Sequence, residues 1–167
     1  MSFNAAFKEV LKHEGGYNFH PSDSGGHTNF GISLRFYKEN IDPMADDKTI
    51  QSLTKQDARE IYKDYFWEPY KYDQIPHIIA VKLFSFSVNM GHKRAHKLLQ
   101  RALRASGHNL VDDGILGKKT HEAISVCDPY NVLCALRSEG AGRYRYIALA
   151  NPELKVFLTG WLNRAYS

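Results

Sequence analysis

Apolar residues recur along most of the chain at three- and four-residue intervals, the period of helices with one buried face. Phe3, Phe7, Val10 and Leu11 form one such stripe, and the Gly15-Gly16 pair stops it, which predicts a first helix from about residue 3 to 13. The stretch from Gly15 to Gly31 breaks the pattern with five glycines, one proline and many small polar residues. It predicts a long loop or a small irregular hairpin, and loops of that length in compact domains usually serve function. Thr54 with Asp57 has the spacing of a capping box, and Ala58, Ile61, Tyr62, Tyr65 and Phe66 line one face of the helix behind it. Pro69 and Pro76 bracket the exit of that helix.

From His77 to Met90 apolar residues are nearly continuous, as suits a central helix buried on most of its surface. Gly91 separates it from a basic amphipathic segment, His92 to Ala105, with Ala95, Leu98, Leu99, Ala102 and Leu103 on the buried stripe and Gly107 beyond the end as a cap. Asp113-Gly114 is a turn signal, and a short helix follows from Lys118 to Val126. Asp128-Pro129 opens a helix running to Ile147, and Asn151-Pro152 opens a last one carrying Leu154, Phe157, Leu158, Trp161 and Leu162. The pattern therefore predicts an all-α (mainly α) fold, with any strands confined to the glycine-rich loop.

Composition narrows the class. In 167 residues, 43% hydrophobic and 24% charged content is enough for a core and excludes an intrinsically disordered chain. There is no run of about 18 apolar residues, and the first segment carries charges where a secretory signal needs an unbroken apolar stretch. We expect neither stable membrane insertion nor conventional export. Cys127 and Cys134 lie seven apart in what reads as helical sequence, about 10 Å at about 1.5 Å per residue, so free, buried thiols are expected. The net charge of +4 permits nucleic acid, anionic membrane or anionic wall polymer as a partner and selects none of them.

The candidate chemistry lies around Glu14, on the last turn of the first helix beside the polar loop. The negative end of a helix dipole disfavours a carboxylate and so moves an acid toward the range of a general acid. Nine residues on, Asp23 sits in a Pro-Ser-Asp-Ser-Gly-Gly turn whose amides and hydroxyls favour the ionised form. Two carboxylates in unlike environments suit glycoside hydrolysis. Spacing alone equally allows Glu14 as a solvated helix-end residue and Asp23 as a turn acid bonding its own backbone.

The segment His13-Glu14-Gly15-Gly16-Tyr17, followed by Asp23-Ser24-Gly25-Gly26-His27-Thr28-Asn29-Phe30-Gly31-Ile32, resembles the signature of the glycoside hydrolase 108 family, HEGGY and then D-x-GG-x-TN-[YF]-GI. That family comprises lysozyme-like N-acetylmuramidases found as phage endolysins and secretion-associated enzymes. Val88-Asn89-Met90-Gly91, Ala95, Leu99-Gln100, Asp113-Gly114, Gly117, Thr120, Arg143-Tyr144 and residues 160–164 are similar to the predicted peptidoglycan-binding half that accompanies it. The resemblance covers almost the whole chain. It implies a lysozyme-like helical fold of two closely packed lobes, a catalytic one over residues 1–90 and a peptidoglycan-binding one over 91–167.

By the same resemblance Glu14 is the catalytic acid and Asp23 the candidate for the second role, with an inverting or retaining outcome set by their separation. Tyr17, Thr28, Asn29 and Asn89 are the candidate substrate-binding residues. The family often has aspartate where this chain has Ser85, which weakens any role of that position in orienting acid or substrate. The chemistry requires neither metal nor organic cofactor. The expected partners are peptidoglycan strands and a holin or secretion apparatus that carries a monomer from the bacterial cytoplasm to the periplasm or wall.

Three other patterns have plainer readings. Tyr17, Phe30, Tyr62, Tyr65, Trp67 and Tyr70 are either sugar platforms or core, and Asn89 either reaches a cleft to meet an N-acetyl group or satisfies a loop backbone. His92 and His96 stand at i, i+4, but cations occupy the place of the glutamate in a zinc-protease helix. The basic helix also fits a nucleic-acid-binding protein, which lacks any recognisable motif here, or a non-catalytic wall-binding module.

Overall fold

The computed structural model describes residues 3–12, 15–19 and 26–167. Its elements in order are α1 (Phe3–Leu11), β1 (Asn18–Phe19), β2 (His27–Asn29), β3 (Ile32–Ser33), α2 (Leu34–Asn40), α3 (Asp47–Ser52), α4 (Lys55–Tyr62), α5 (His77–Met90), α6 (His92–Ala105), α7 (Lys118–Val126), α8 (Pro129–Ala150) and α9 (Leu158–Tyr166). The fold is mainly α, with one antiparallel sheet in the order β1-β2-β3 inside the glycine-rich stretch. Among the described residues no helix is long and apolar enough to cross a membrane.

Helix α5 organises the rest. Every residue from Lys82 to Phe86 is buried, as is Ser87, so no face of the helix meets water over those six residues. Helix α1 packs along it through Phe3 and Phe7. The rings of Phe3, Trp67 and Phe84 meet edge to face at 5.5–5.9 Å, a geometry that adds to simple burial. On the other side α6 and α8 close over it, and the apolar core runs as one cluster from Phe3 to Ala165, drawn from both halves of the chain. Gly91 alone joins α5 to α6, at φ 84° and ψ 150°, a conformation essentially reserved for glycine.

Most predicted elements are present, and the departures have local causes. Thr54 and Asp57 do form a reciprocal capping box at the start of α4. Beyond Tyr62, however, residues Lys63–Trp67 widen into a π-helical turn that seats both Phe66 and Trp67 in the core. The last predicted helix opens as a 3₁₀ segment, Pro152–Phe157, before α9. Helices α2 and α3 lie in a stretch without a long apolar stripe, and each is started by a side-chain cap, Ser33 on Phe36 N and Asp46 on Thr49 N. The cysteines do not share a helix. Cys127 ends α7, half-buried, while Cys134 is exposed on α8; both are free, but they are not the buried pair expected.

Gln100 explains several of the scattered positions in the C-terminal half. Its amide nitrogen donates to Asp113 Oδ1 at 2.8 Å and to the Ile115 carbonyl at 3.0 Å, and its oxygen accepts from Gly114 N at 2.8 Å. A Cβ on Gly114, itself at φ 84°, would lie 2.6 Å from the Lys93 carbonyl oxygen.

Gly140 of α8 lies against Phe86 of α5, where a Cβ would sit 2.2 Å from Phe86 Cζ. Glycine inside a helix costs about 1 kcal/mol against alanine, and here the fold tolerates that cost to admit a fully buried ring. Gly140→Ala should therefore lower unfolding free energy by about 1–3 kcal/mol despite its better helix propensity. Adding Phe86→Leu should recover part of the loss, as denaturant titration of both variants will show.

Candidate functional site

The sheet is the described part of the motif region. Thr28 pairs with Asn18 and Ser33, His27 with Phe19, and Asn29 with Ile32. Phe30 and Gly31 make the two-residue turn between β2 and β3, at φ 49° and φ 79°, the sign required by a tight hairpin. A bulky residue at positive φ is strained. The buried Tyr62 hydroxyl holds it there by donating to the Phe30 carbonyl at 2.9 Å.

The sheet is fixed at its other side by Asn29. That side chain is 5% exposed, and its amide nitrogen donates to the carbonyls of Ile50 at 3.0 Å, Gln51 at 3.3 Å and Leu53 at 3.4 Å, at the C-terminal end of α3. Asn29, a candidate substrate-binding residue, thus ties the sheet to the helix. Thr28 is half-buried on β2, its hydroxyl donating to the Gly26 carbonyl at 3.4 Å.

Tyr17 opens onto solvent, at 42% exposed, and belongs to an aromatic group centred on His27. Its hydroxyl hydrogen-bonds His27 Nδ1 and accepts from Gln51 Nε2 at 2.9 Å. The His27 ring stacks on Tyr17 at 5.8 Å and on Phe19, 51% exposed, at 4.4 Å. Three near-parallel rings, two of them exposed and the half-buried His27 between them pinned to Tyr17, present flat apolar surface of the kind that sugar C–H faces cover. His27, Phe19 and Gln51 went unrecognised in sequence. His27 stands at a variable motif position, and Gln51 is 34 residues from the ring it holds.

Glu14 and Asp23 lie outside the described residues. In sequence Glu14 falls just after α1 and just before Tyr17, and Asp23 falls between the two paired strands. Of the other rings, Tyr62 and Trp67 are core, Phe30 and Tyr70 are half-buried, and Tyr65 donates its hydroxyl to the Asn40 carbonyl at 3.1 Å. Asn89 is exposed at the end of α5 and, among the described residues, bonds no loop backbone; its Oδ1 accepts from the Tyr144 hydroxyl of α8 at 2.8 Å. Ser85 is buried with an unpaired hydroxyl, in a pocket it shares with Lys82, Arg137 and Ser167.

His92 and His96 have a different use from metal binding. The Gly114 carbonyl can only accept, so His96 Nδ1–H donates to it at 3.1 Å, and Nε2 accepts from the Tyr72 hydroxyl at 2.7 Å. Tyr72 in turn accepts from Ser87 at 2.7 Å. The chain ties α5 and α6 to the loop at 114 with a neutral imidazole. Burial holds both histidines down to about 4, and for His92 the neighbouring His96 adds to it. Among the described residues no group of three or more His, Cys, Asp or Glu side chains is placed to hold a metal ion.

Comparison with known proteins gives a consistent pattern. A family model described as glycosyl hydrolase 108 matches residues 7–91, and one described as a predicted peptidoglycan domain matches residues 94–166. The solved structure of Brucella abortus SagA is similar at a TM-score of 0.82 and 28% identity, over 98% of this chain and 88% of that one. No curated protein matches the chain.

Two outcomes follow from this geometry. Asn29→Ala should cost about 1–3 kcal/mol of stability by stranding the α3 carbonyls. A loss of activity with unchanged stability would instead make Asn29 a substrate ligand. Because both buried histidines hold their folded pKa near 4, below the unfolded value of about 6.5, the unfolded chain takes up protons first as pH falls. Stability is therefore complete above pH 6.5 and declines from there toward pH 4. His96→Gln should flatten that decline in melting temperature, and parallel curves for the two proteins would refute the assignment.

Proposed function

The chain belongs to the glycosyl hydrolase 108 family and is a peptidoglycan hydrolase, and from that premise we propose that it is an N-acetylmuramidase acting through Glu14. The bond cleaved is the β-1,4 link between N-acetylmuramic acid and N-acetylglucosamine. What most supports this reading is the coincidence of the motif with the Tyr17–His27–Phe19 rings, which in sequence follow Glu14 and lie on either side of Asp23.

Glu14 protonates the departing glycosidic oxygen as positive charge develops on the ring of the sugar. Asp23 stabilises that charge or activates the water that ends the reaction. The ring platform positions the saccharide, and its fixation through Gln51 and Tyr62 keeps that surface from rearranging. The protein works as a monomer on the wall side of the cytoplasmic membrane, reached through a holin or a secretion apparatus.

Incubation with purified peptidoglycan, followed by reduction of the new ends and sugar analysis, tests the assignment. Reduced N-acetylmuramic acid is expected, and reduced N-acetylglucosamine would overturn the bond assignment. Glu14→Gln should slow release by about 10²–10⁴-fold with little change in melting temperature. Activity at the wild-type level in that variant would remove Glu14 from the mechanism.

A further inference from the structure

A cleft of about 680 Å³ opens where α5 turns into α6, away from the aromatic platform in sequence and in composition. Lys93, Arg94, Lys97, Arg101 and Arg143 line it, with no carboxylate among the lining residues. Those five cations exceed the whole net charge of +4 carried by the chain. Arg101 is partly neutralised by Asp112 at 2.7 Å. The other four have no ion-pair partner among the described residues. Tyr70 and His92 form an apolar floor, their rings 4.1 Å apart, and burial keeps the His92 imidazole neutral near pH 7.

Like charges gathered in one concavity repel, and a fold gains nothing by collecting them unless something anionic enters. The glycan backbone of peptidoglycan is built of N-acetylated sugars and offers little charge. Its carboxylates stand on the stem peptides. The cleft lies across the junction of the two matched segments, 7–91 and 94–166, and four of its five cations belong to the second. We propose that it binds the carboxylates of the stem peptides, so that the protein holds peptidoglycan by its charged branch as well as by its neutral strand. The inference rests on the reading of the chain as a peptidoglycan hydrolase and adds which part of that polymer the C-terminal half grips. Arg94 and Lys97, one turn apart on α6, and Arg143 from α8 approach the ligand from two helices, which suits a branched peptide better than a linear one.

The test uses the full chain carrying Glu14→Gln, so that the wall is not consumed, co-sedimented with three preparations of sacculi. One is intact, one is stripped of stem peptides by an amidase, and one is acid-extracted to remove phosphodiester polymers. Binding to intact sacculi should weaken with added salt and fall about fivefold to tenfold when the peptides are removed. Acid extraction should leave it unchanged. Arg94→Gln with Lys97→Gln should lose a similar factor on intact sacculi, and Arg94→Lys with Lys97→Arg should restore it, which separates charge from folding. Equal binding to intact and stripped sacculi would overturn the proposal. So would a loss that follows acid extraction, which would assign the cleft to phosphodiesters, or displacement by duplex DNA but not by soluble stem peptide. Reducing ends released from stripped sacculi by the unmodified chain read hydrolysis separately. Hydrolysis with indifference to stem peptides defeats this inference alone. An absence of reducing ends from every preparation defeats the muramidase reading, while the binding comparison still decides the cleft.

Discussion

Helix α5 has to be enclosed, and that requirement shapes the molecule. Side chains at six consecutive positions, Lys82 to Ser87, point around the full circumference of the helix and all are buried. Each large apolar one among them stabilises the fold by about 1.5–3 kcal/mol only if water is excluded from its side of the helix. One partner cannot do this. Helix α1 and the π-helical turn cover one side while α6, α8 and α9 cover the rest, so elements from both ends of the chain are required for a single core. Even the one cation in this stretch is accommodated, Lys82 donating to the Arg164 carbonyl at 2.7 Å, and burial lowers that ammonium to about 8.

The aromatic surface inherits its rigidity from that core. Phe84 of α5 meets the Tyr62 ring edge-on at 5.8 Å, the Tyr62 hydroxyl holds the strained Phe30 turn, and the turn fixes β2 with His27 on it. Asn29 and Gln51 connect the same sheet to α3 by a second route. A surface built on a three-residue strand would ordinarily be loose, because so short a ladder has few hydrogen bonds. Here the ladder is a minor part of the restraint. Side chains 21 to 34 residues away supply the rest.

This division accounts for what could be read from the chain. Helices with an apolar stripe, such as α1, α4 and α6, announce themselves by period, α5 by its continuous apolar run, and the capping pairs at Thr54 and Asp128 mark the starts of α4 and α8. Helices α2 and α3 are six or seven residues long and lean on caps and neighbours, so periodicity has little to act on. The π-helical turn leaves the hydrophobic order of Tyr62, Phe66 and Trp67 unchanged and is invisible in it. At the site, the motif identified Tyr17, but its partners His27, Phe19 and Gln51 depend on pairing register and on a hydrogen bond across the fold. The ties that Asn29 makes are equally illegible, because its buried amide reaches the backbone of α3 at Ile50, 21 residues away.

Two surfaces of unlike chemistry hang on the same helix. Toward the sheet the chain exposes neutral rings and hydroxyl-bearing side chains, suited to a saccharide whose polar groups are uncharged. At the far end of α5, where Gly91 turns the chain into α6, it exposes a concave group of cations over a floor of Tyr70 and His92. A protein that met only a neutral glycan would have no use for the second, and one that met only a polyanion would have no use for the first. Peptidoglycan combines both in one repeating unit, a neutral strand with carboxylates on its branches. Because α5 is rigid and shared, the distance between the two surfaces is set by the core and not by a linker, so engagement of one fixes where the other must find its group.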